Sequence, residues 1–305
     1  MAADKNRSYA AGRFLLELNG KSGGYIKSCA GGNITAEVAI HNMGPELYQK
    51  KHIATIKYNE FTVEMGASNT AEAWAWIQAS LDKKSTTMDG RVIAANYDYC
   101  SMSERIFHGA VLTEFGMPEF DGSKKDAVYC TVKFAPEKIE YMPGDGKQLK
   151  GAIGPQAKKW LCSNWRFTLG DLPCDGVAKV GAWTWKQACI EDQVGAFREA
   201  TKHPAKIELP DIEITCSMKH IDAWQKKFDD FVVKGNCGED QEMEASLTML
   251  APDMKTEVGR VDFYNCGFIS LEPEKVEANQ EAVARFKAKV YTERIQFFPK
   301  VMDQM

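Results

Sequence analysis

Few residues in this 305-residue chain have the types and spacing that chemistry needs. Gly20-Lys-Ser-Gly-Gly24 sets Ser22 between glycines as a nucleophile elbow does, and it also approaches the GxxxxGK[ST] loop that cradles phosphates. The phosphate loop fails because Leu15 stands where its first glycine is required. The elbow fails because a strand must there turn directly into a helix, and Tyr25-Ile-Lys-Ser-Cys-Ala-Gly-Gly32 is a poor helix start. A flexible hairpin or interstrand loop is expected at this place, with no catalytic residue. His41, His52, His108, His203 and His220 show no HExxH or other ligand spacing. The nine cysteines contain no CxxC pair, so they read as reduced and mostly buried thiols, with bridges between subunits as the alternative. No metal and no cofactor is expected. Trp183 and Trp185 share one face of a presumed strand. Exposed, they would make a sugar-binding platform; buried between subunits they would be anchors, and the ring interface is the expectation.

The elements that would carry these residues are bounded by composition. A net charge of -4 with interspersed lysine and glutamate lacks the clustered cations of a tight nucleic-acid binder. No stretch approaches the roughly 20 apolar residues of a membrane span, and the N-terminus has no signal-peptide core. Synthesis in a host cytoplasm and no membrane partner are the corresponding expectations. The length suggests two compact domains.

Self-similarity supports that division. Glu137-Lys-Ile-Glu-Tyr141 matches Glu293-Arg-Ile-Gln-Phe297 at an offset of 156. Upstream, Phe14-Leu-Leu-Glu-Leu18 faces Phe167-Thr-Leu-Gly-Asp171, Gly31 to Ile40 faces Gly181 to Ile190, and Phe61-Thr-Val-Glu-Met65 faces Ile212-Glu-Ile-Thr-Cys216. Each copy then has a tryptophan-bearing helix. Trp74, Ile77 and Leu81 form an apolar stripe behind an Asn69 and Glu72 capping box, and Trp224, Phe228 and Phe231 repeat the stripe. All six are expected in domain cores. The chain therefore reads as domains over residues 1–141 and 160–305, joined by a glycine- and proline-rich linker over 142–159.

Both copies read mostly as strand, with period-two alternation such as Val128, Cys130, Val132 and Phe134. The apolar phase then switches from even positions ending at Phe134 to Ile139 and Tyr141. In the second copy it switches from Val290 to Ile295 and Phe297. Such a switch marks a bulge or bend where a strand leaves one sheet and joins another, or two strands joined by a turn at Ala135-Pro136. Phe134, Glu137, Ile139, Tyr141, Val290, Glu293, Ile295 and Phe297 are thus candidate bend or ring-interface residues alongside Trp183 and Trp185.

The order of these features resembles the tail tube protein family of contractile phages and related contractile injection systems. It does so through the opening Tyr9 to Leu18 strand, the glycine-led strand from Gly31 and the strand ending at Met65 before the tryptophan helix. The strands Ile106 to Phe115 and Ala127 to Tyr141, and the closing Glu137-Lys-Ile-Glu, complete the likeness. The duplication departs from the family's usual single domain. The resemblance implies a mainly β fold, each domain two packed antiparallel sheets (sandwich or barrel) with one flanking α-helix. It also implies a non-enzymatic subunit of stacked rings whose β-barrel lumen conducts DNA or effector without specific binding. Implied partners are further copies of the chain, as a trimer imitating a hexamer, and tail sheath and baseplate proteins, in a virion tail or injection particle. A baseplate hub or tube initiator is the alternative, and a carbohydrate-binding β-sandwich or a serine hydrolase stands in another class.

Overall fold

The computed structural model describes residues 12–42, 44, 48–66, 71–84, 86–149, 160–195, 198–274 and 283–299. In the first half, β1 (Arg13–Leu18) turns into β2 (Lys21–Gly31), and the hairpin of β3 (Ile34–His41) and β4 (Lys50–Tyr58) follows. Next come β5 (Phe61–Gly66), α1 (Ala71–Leu81), β6 (Met88–Ala95), the long β7 (Ser101–Met117), the short β8 (Phe120–Asp121), β9 (Tyr129–Ala135) and β10 (Lys138–Pro143). The second half runs β11 (Trp165–Leu169), β12 (Val177–Val180), β13 (Trp183–Asp192), β14 (Thr201–Glu208), β15 (Ile212–Ser217) and α2 (Ile221–Phe228). It ends with β16 (Met243–Leu250), β17 (Glu257–Pro273), β18 (Arg285–Tyr291) and β19 (Arg294–Pro299).

Both halves pair these strands in one order. In the first, β1, β6, β7, β9, β5 and β2 are joined in turn by antiparallel ladders, and β2 pairs back onto β1 to close a barrel. In the second, β11, β16, β17, β18, β15 and β12 repeat the path without the closing pair. The reason is local. Asn19 (φ 47) and Gly20 (φ 75) make a two-residue turn that holds β1 beside β2, whereas residues 170–176 separate β11 from β12. Register fixes the correspondence. Leu16 lies opposite Val92 as Phe167 lies opposite Leu247, an offset of 151 that moves the first strand two residues from the pairing of Phe14 with Phe167.

Apolar alternation builds one core through both halves. Phe61, Val63 and Met65 point inward from β5, as do Ile212, Ile214 and Cys216 from β15. On α1, Trp74, Trp76 and Ile77 are buried and Leu81 is partly so; Asn69 lies outside the described residues. On α2, Trp224 is buried with its indole N–H donating to the Pro173 carbonyl at 3.1 Å. Phe228 is partly buried beyond it, and Phe231 is buried in the wider helical turn that follows.

In both halves the phase switch falls at a bend, at Glu137 and at Glu293. β9 and β10 lie end to end along one edge of β7, Phe134 opposite Leu112 and Lys138 opposite His108. Pairing lapses at Pro136 and Glu137 between the two strands, and a further irregularity lies between Leu112 and Glu114. β18 and β19 repeat this along β17. The chain also stays ordered past residue 141: β10 runs to Pro143, the Gly144 amide donates to the Met102 carbonyl, and the Leu149 amide to that of Tyr99.

Candidate assembly interface

Strand β7 is longer than the barrel that contains it. Its other edge is covered by β6 as far as Ala110, which leaves residues 114–117 unpaired on that edge by the described residues of the first half. The second half covers them. Trp183, Thr184, Trp185 and Lys186 of β13 pair with Met117, Gly116, Phe115 and Glu114, so one sheet runs from the first barrel into the β13–β14 hairpin. Behind this ladder lies an aromatic cluster from both halves. The Phe297 ring is 5.2 Å from those of Trp74 and Phe115, and Trp183 meets Phe263 edge-on at 5.5 Å. The Phe297 amide donates to Gln78 Oε1 at 2.9 Å. A second clip joins the halves through β8, where Phe120 lies opposite Val180.

The polar part of the joint is centred on Glu137. Its Oε1 accepts the Lys202 amide at 2.8 Å, and Gly109 (φ 57) lets the carboxylate lie against the backbone, where a Cβ would come within 2.3 Å of Oε2. Lys202 is only 7% exposed. Its ammonium donates to the Tyr58 carbonyl and faces Glu191, both at 3.4 Å, which satisfies a charge that burial would otherwise penalise. At the β8 clip, hydrogen bonds from Lys124 and then from Lys179 of β12 hold the Glu119 carboxyl below its usual range.

On the outward sides of the same strands the charges are matched. Lys27 meets Glu64 at 3.0 Å, Lys133 meets Glu114 at 2.8 Å, Lys287 meets Glu213 at 3.3 Å and Lys289 meets Asp211 at 2.8 Å. The Glu64 carboxyl is lowered by its hydrogen bond from Lys27. Among the described residues no group of three His, Cys, Asp or Glu side chains is placed to hold a metal ion, and no helix is long and apolar enough to cross a membrane. Ser22 lies inside β2, its hydroxyl accepting from the Gly24 amide at 3.3 Å, so the flexible loop expected there reduces to the Asn19–Gly20 turn.

The structure gathers only part of the expected set. Trp183 and Trp185 are buried within the single chain, where β13 pairs with β7 of the other half and Trp183 also packs on Phe263 and Phe297 of its own, and they form no open platform. Phe134, Ile139, Val290 and Ile295 are buried within their own halves, and Phe297 is at the joint. Glu137 is in the joint as well, whereas Tyr141 and Glu293 are exposed. Lys202, Phe120, Trp160 and Trp76 escape a reading based on the matched segments. A signal for Lys202 is present: Lys51-His52, Ala54 and Ile56 recur as Lys202-His203, Ala205 and Ile207 at an offset of 151.

Three solved structures are similar to part of this chain. The tube-bearing "Extracellular Contractile Injection System, PVC sheath-tube complex in extended state" is 13% identical, covering 45% of this chain and 88% of that one at a TM-score of 0.37. A chain of the anti-feeding prophage (AFP) baseplate is 13% identical, with 45% and 97% covered at 0.39. Hcp1 from Flavobacterium johnsoniae is 15% identical, with 46% and 99% covered at 0.29. No curated protein matches the chain in sequence. Residues 10–140, the first barrel from its opening strand into β10, match the family described as T4-like virus tail tube protein gp19. Over its first half, the chain is thus similar to the T4-like virus tail tube protein gp19 family.

Proposed function

We propose that this chain is a structural, non-enzymatic tube subunit that supplies two adjacent barrels to each ring, so that three copies close a ring of pseudo-six-fold symmetry. The carrying observation is the ladder between β13 and β7, which joins two topologically equivalent halves edge to edge inside one chain. In this reading the domains are residues 1–141 and 160–305, with 142–159 between them. Open edges of β domains must be guarded or paired, and ring closure pairs them all. Stacked rings then enclose a lumen. The matched charges on the outward strand faces, together with a net charge of -4, suit a conduit past which DNA or effector slides, because clustered cations would clamp a polyanion. Sheath and baseplate proteins are the expected partners in a phage tail or injection particle, after synthesis in the host cytoplasm.

Electron microscopy of the purified protein tests this. Rings of three chains, with both halves contributing strands to the lumen, are expected. Six chains per ring with residues 160–305 facing outward would overturn it. A hub or tube initiator would stop at a single ring where a tube subunit stacks many. The sugar-binding and hydrolase readings lose their support with Trp183 and Trp185 buried and Ser22 inside a strand.

A further inference from the structure

The joint between the halves is built from parts that occur twice, and only one set is engaged. In the first half the Glu137 amide donates to the His108 carbonyl at 2.9 Å, next to Gly109 (φ 57). In the second, the Glu293 amide donates to the Tyr264 carbonyl at 3.1 Å, next to Asn265 (φ 54), each residue 156 positions on. The irregularity of β7 between Leu112 and Glu114 recurs in β17 between Phe268 and Ser270. There Thr113, Phe115 and Met117 are buried, the last two at positions that pair with β13, whereas Ile269 is 41% exposed, Leu271 half-buried and Pro273 exposed. Glu293 is exposed too, where Glu137 grips the Lys202 amide.

The inserted part is also duplicated. β3 shifts register between Ala36 and Val38 opposite β4, as β13 does between Gln187 and Cys189 opposite β14, both 151 positions on. The β3–β4 hairpin pairs with no other strand among the described residues, and Ile34, Val38, Ile40 and Ile53 are exposed along it. Ile34 stands where Trp185 stands, and Lys51 where Lys202 stands. Tyr141, 55% exposed, stands where the buried Phe297 does.

We propose that the β3–β4 hairpin of one copy inserts against β17 of the next, repeating between chains the joint that β13–β14 makes within one. The register transfers directly. Trp185 opposite Phe115 becomes Ile34 opposite Leu271, and Lys186 opposite Glu114 becomes Thr35 opposite Ser270. Glu293 then accepts the Lys51 amide, and the Leu209 carbonyl takes the role of that of Tyr58 for the Lys51 ammonium. Ile40 replaces Glu191, so this joint has no counterpart of the Glu191–Lys202 ion pair. The contact is head-to-tail, the kind that closes into rings when its rotation allows. It rests on the ring reading above and names the surface that closes it.

Three full-length variants separate the two joints. Glu293→Arg and Ile34→Asp alter residues exposed in the single chain, so the monomer's melting temperature is expected to stay within about 2 °C of the parent, in the range of ordinary surface substitutions. Assembly, followed by light scattering and negative-stain microscopy, is expected to need at least about tenfold more protein, the loss produced by about 1.4 kcal/mol. Glu137→Arg, inside the filled joint, is expected to lower the monomer's melting temperature. A photo-cross-linking residue at position 34 is expected to capture residues 269–273 of another copy. Parent-like assembly of Glu293→Arg, or rings whose cross-links from position 34 fall elsewhere, would overturn the joint while leaving the ring. Open filaments cross-linked from 34 to 271 would support the joint and overturn the ring, and a parent chain that stays monomeric at all concentrations would overturn both.

Discussion

Trp74→Ala tests whether the two halves stand or fall together. Read from sequence, Trp74 and Trp224 serve the same purpose, each inside its own domain. The structure separates them. Trp224 packs against Phe268 and Phe286, both in the second half. Trp74 packs against Phe115 of its own half at 5.8 Å and against Trp160 and Phe297 of the other at 6.2 and 5.2 Å. Truncating a buried aromatic side chain costs about 3 to 5 kcal/mol in lost transfer energy and residual cavity. With a urea dependence of about 3 kcal/mol per M, that loss lowers the unfolding midpoint by about 1 to 1.7 M. The diagnostic measurement is native-state hydrogen exchange, segment by segment. In Trp74→Ala the amides of β13 and β19, both in the second half, are expected to lose protection together with those of β7. Trp224→Ala should first expose β15 and β18. Unchanged protection of β13 and β19 in Trp74→Ala would refute the claim that Trp74 holds the joint.

Other outcomes follow from named contacts. Gly31 has φ +75, and a Cβ there would come within 2.0 Å of the Glu60 carbonyl oxygen, so Gly31→Ala is expected to cost at least about 1 to 3 kcal/mol by thermal melting. An unaltered melting temperature would show that β2 and β5 can part without loss. Glu119 has its carboxyl lowered by Lys124 and Lys179, so its contribution is full above the ordinary carboxylate pKa of about 4.3 and fades as pH falls through the lowered value. Melting curves from pH 7 to pH 2 should therefore show a shallower acid-side loss in Glu119→Gln than in the parent, and parallel curves would count against the clip. Phe120→Ala, which empties the fully buried site opposite Val180, is expected to lower stability by about 3 to 5 kcal/mol and to loosen the protection of β12. Intact β12 protection in that variant would mean that β8 is dispensable.

Much of this molecule was legible in its residues because repetition and alternation are local signals. The period-two runs from Phe61 to Met65 and from Cys130 to Phe134 are strands with the expected faces inward, and the collinear offsets give two halves of one strand order. The joint was less legible. Trp183 and Trp185 announce burial, but which surface buries them depends on β7 outrunning its own barrel, a matter of strand length that alternation does not report. Lys202 was missed because a lysine in a half-polar strand reads as solvent-facing. Only its spatial neighbours Glu137, Tyr58 and Glu191 make it a buried cation. Phe134 and Ile139 suggested a bend, and the chain bends at Glu137, with β9 and β10 both paired to β7 on either side of it.

The unequal closure of the two barrels sets an order of events during synthesis. By the time residue 143 has left the ribosome the first barrel has every strand it needs, including the tight turn at Asn19 and Gly20 that seals it. The second never seals itself, and its β12 leans on β8, a strand the ribosome has already delivered. The nascent first half is therefore a mould against which the rest is cast, in keeping with the tendency of N-terminal units to fold first. Until β13 emerges, Phe115 and Met117 lie on an unguarded edge, so the interval between residues 143 and 186 is where chaperones have most to protect.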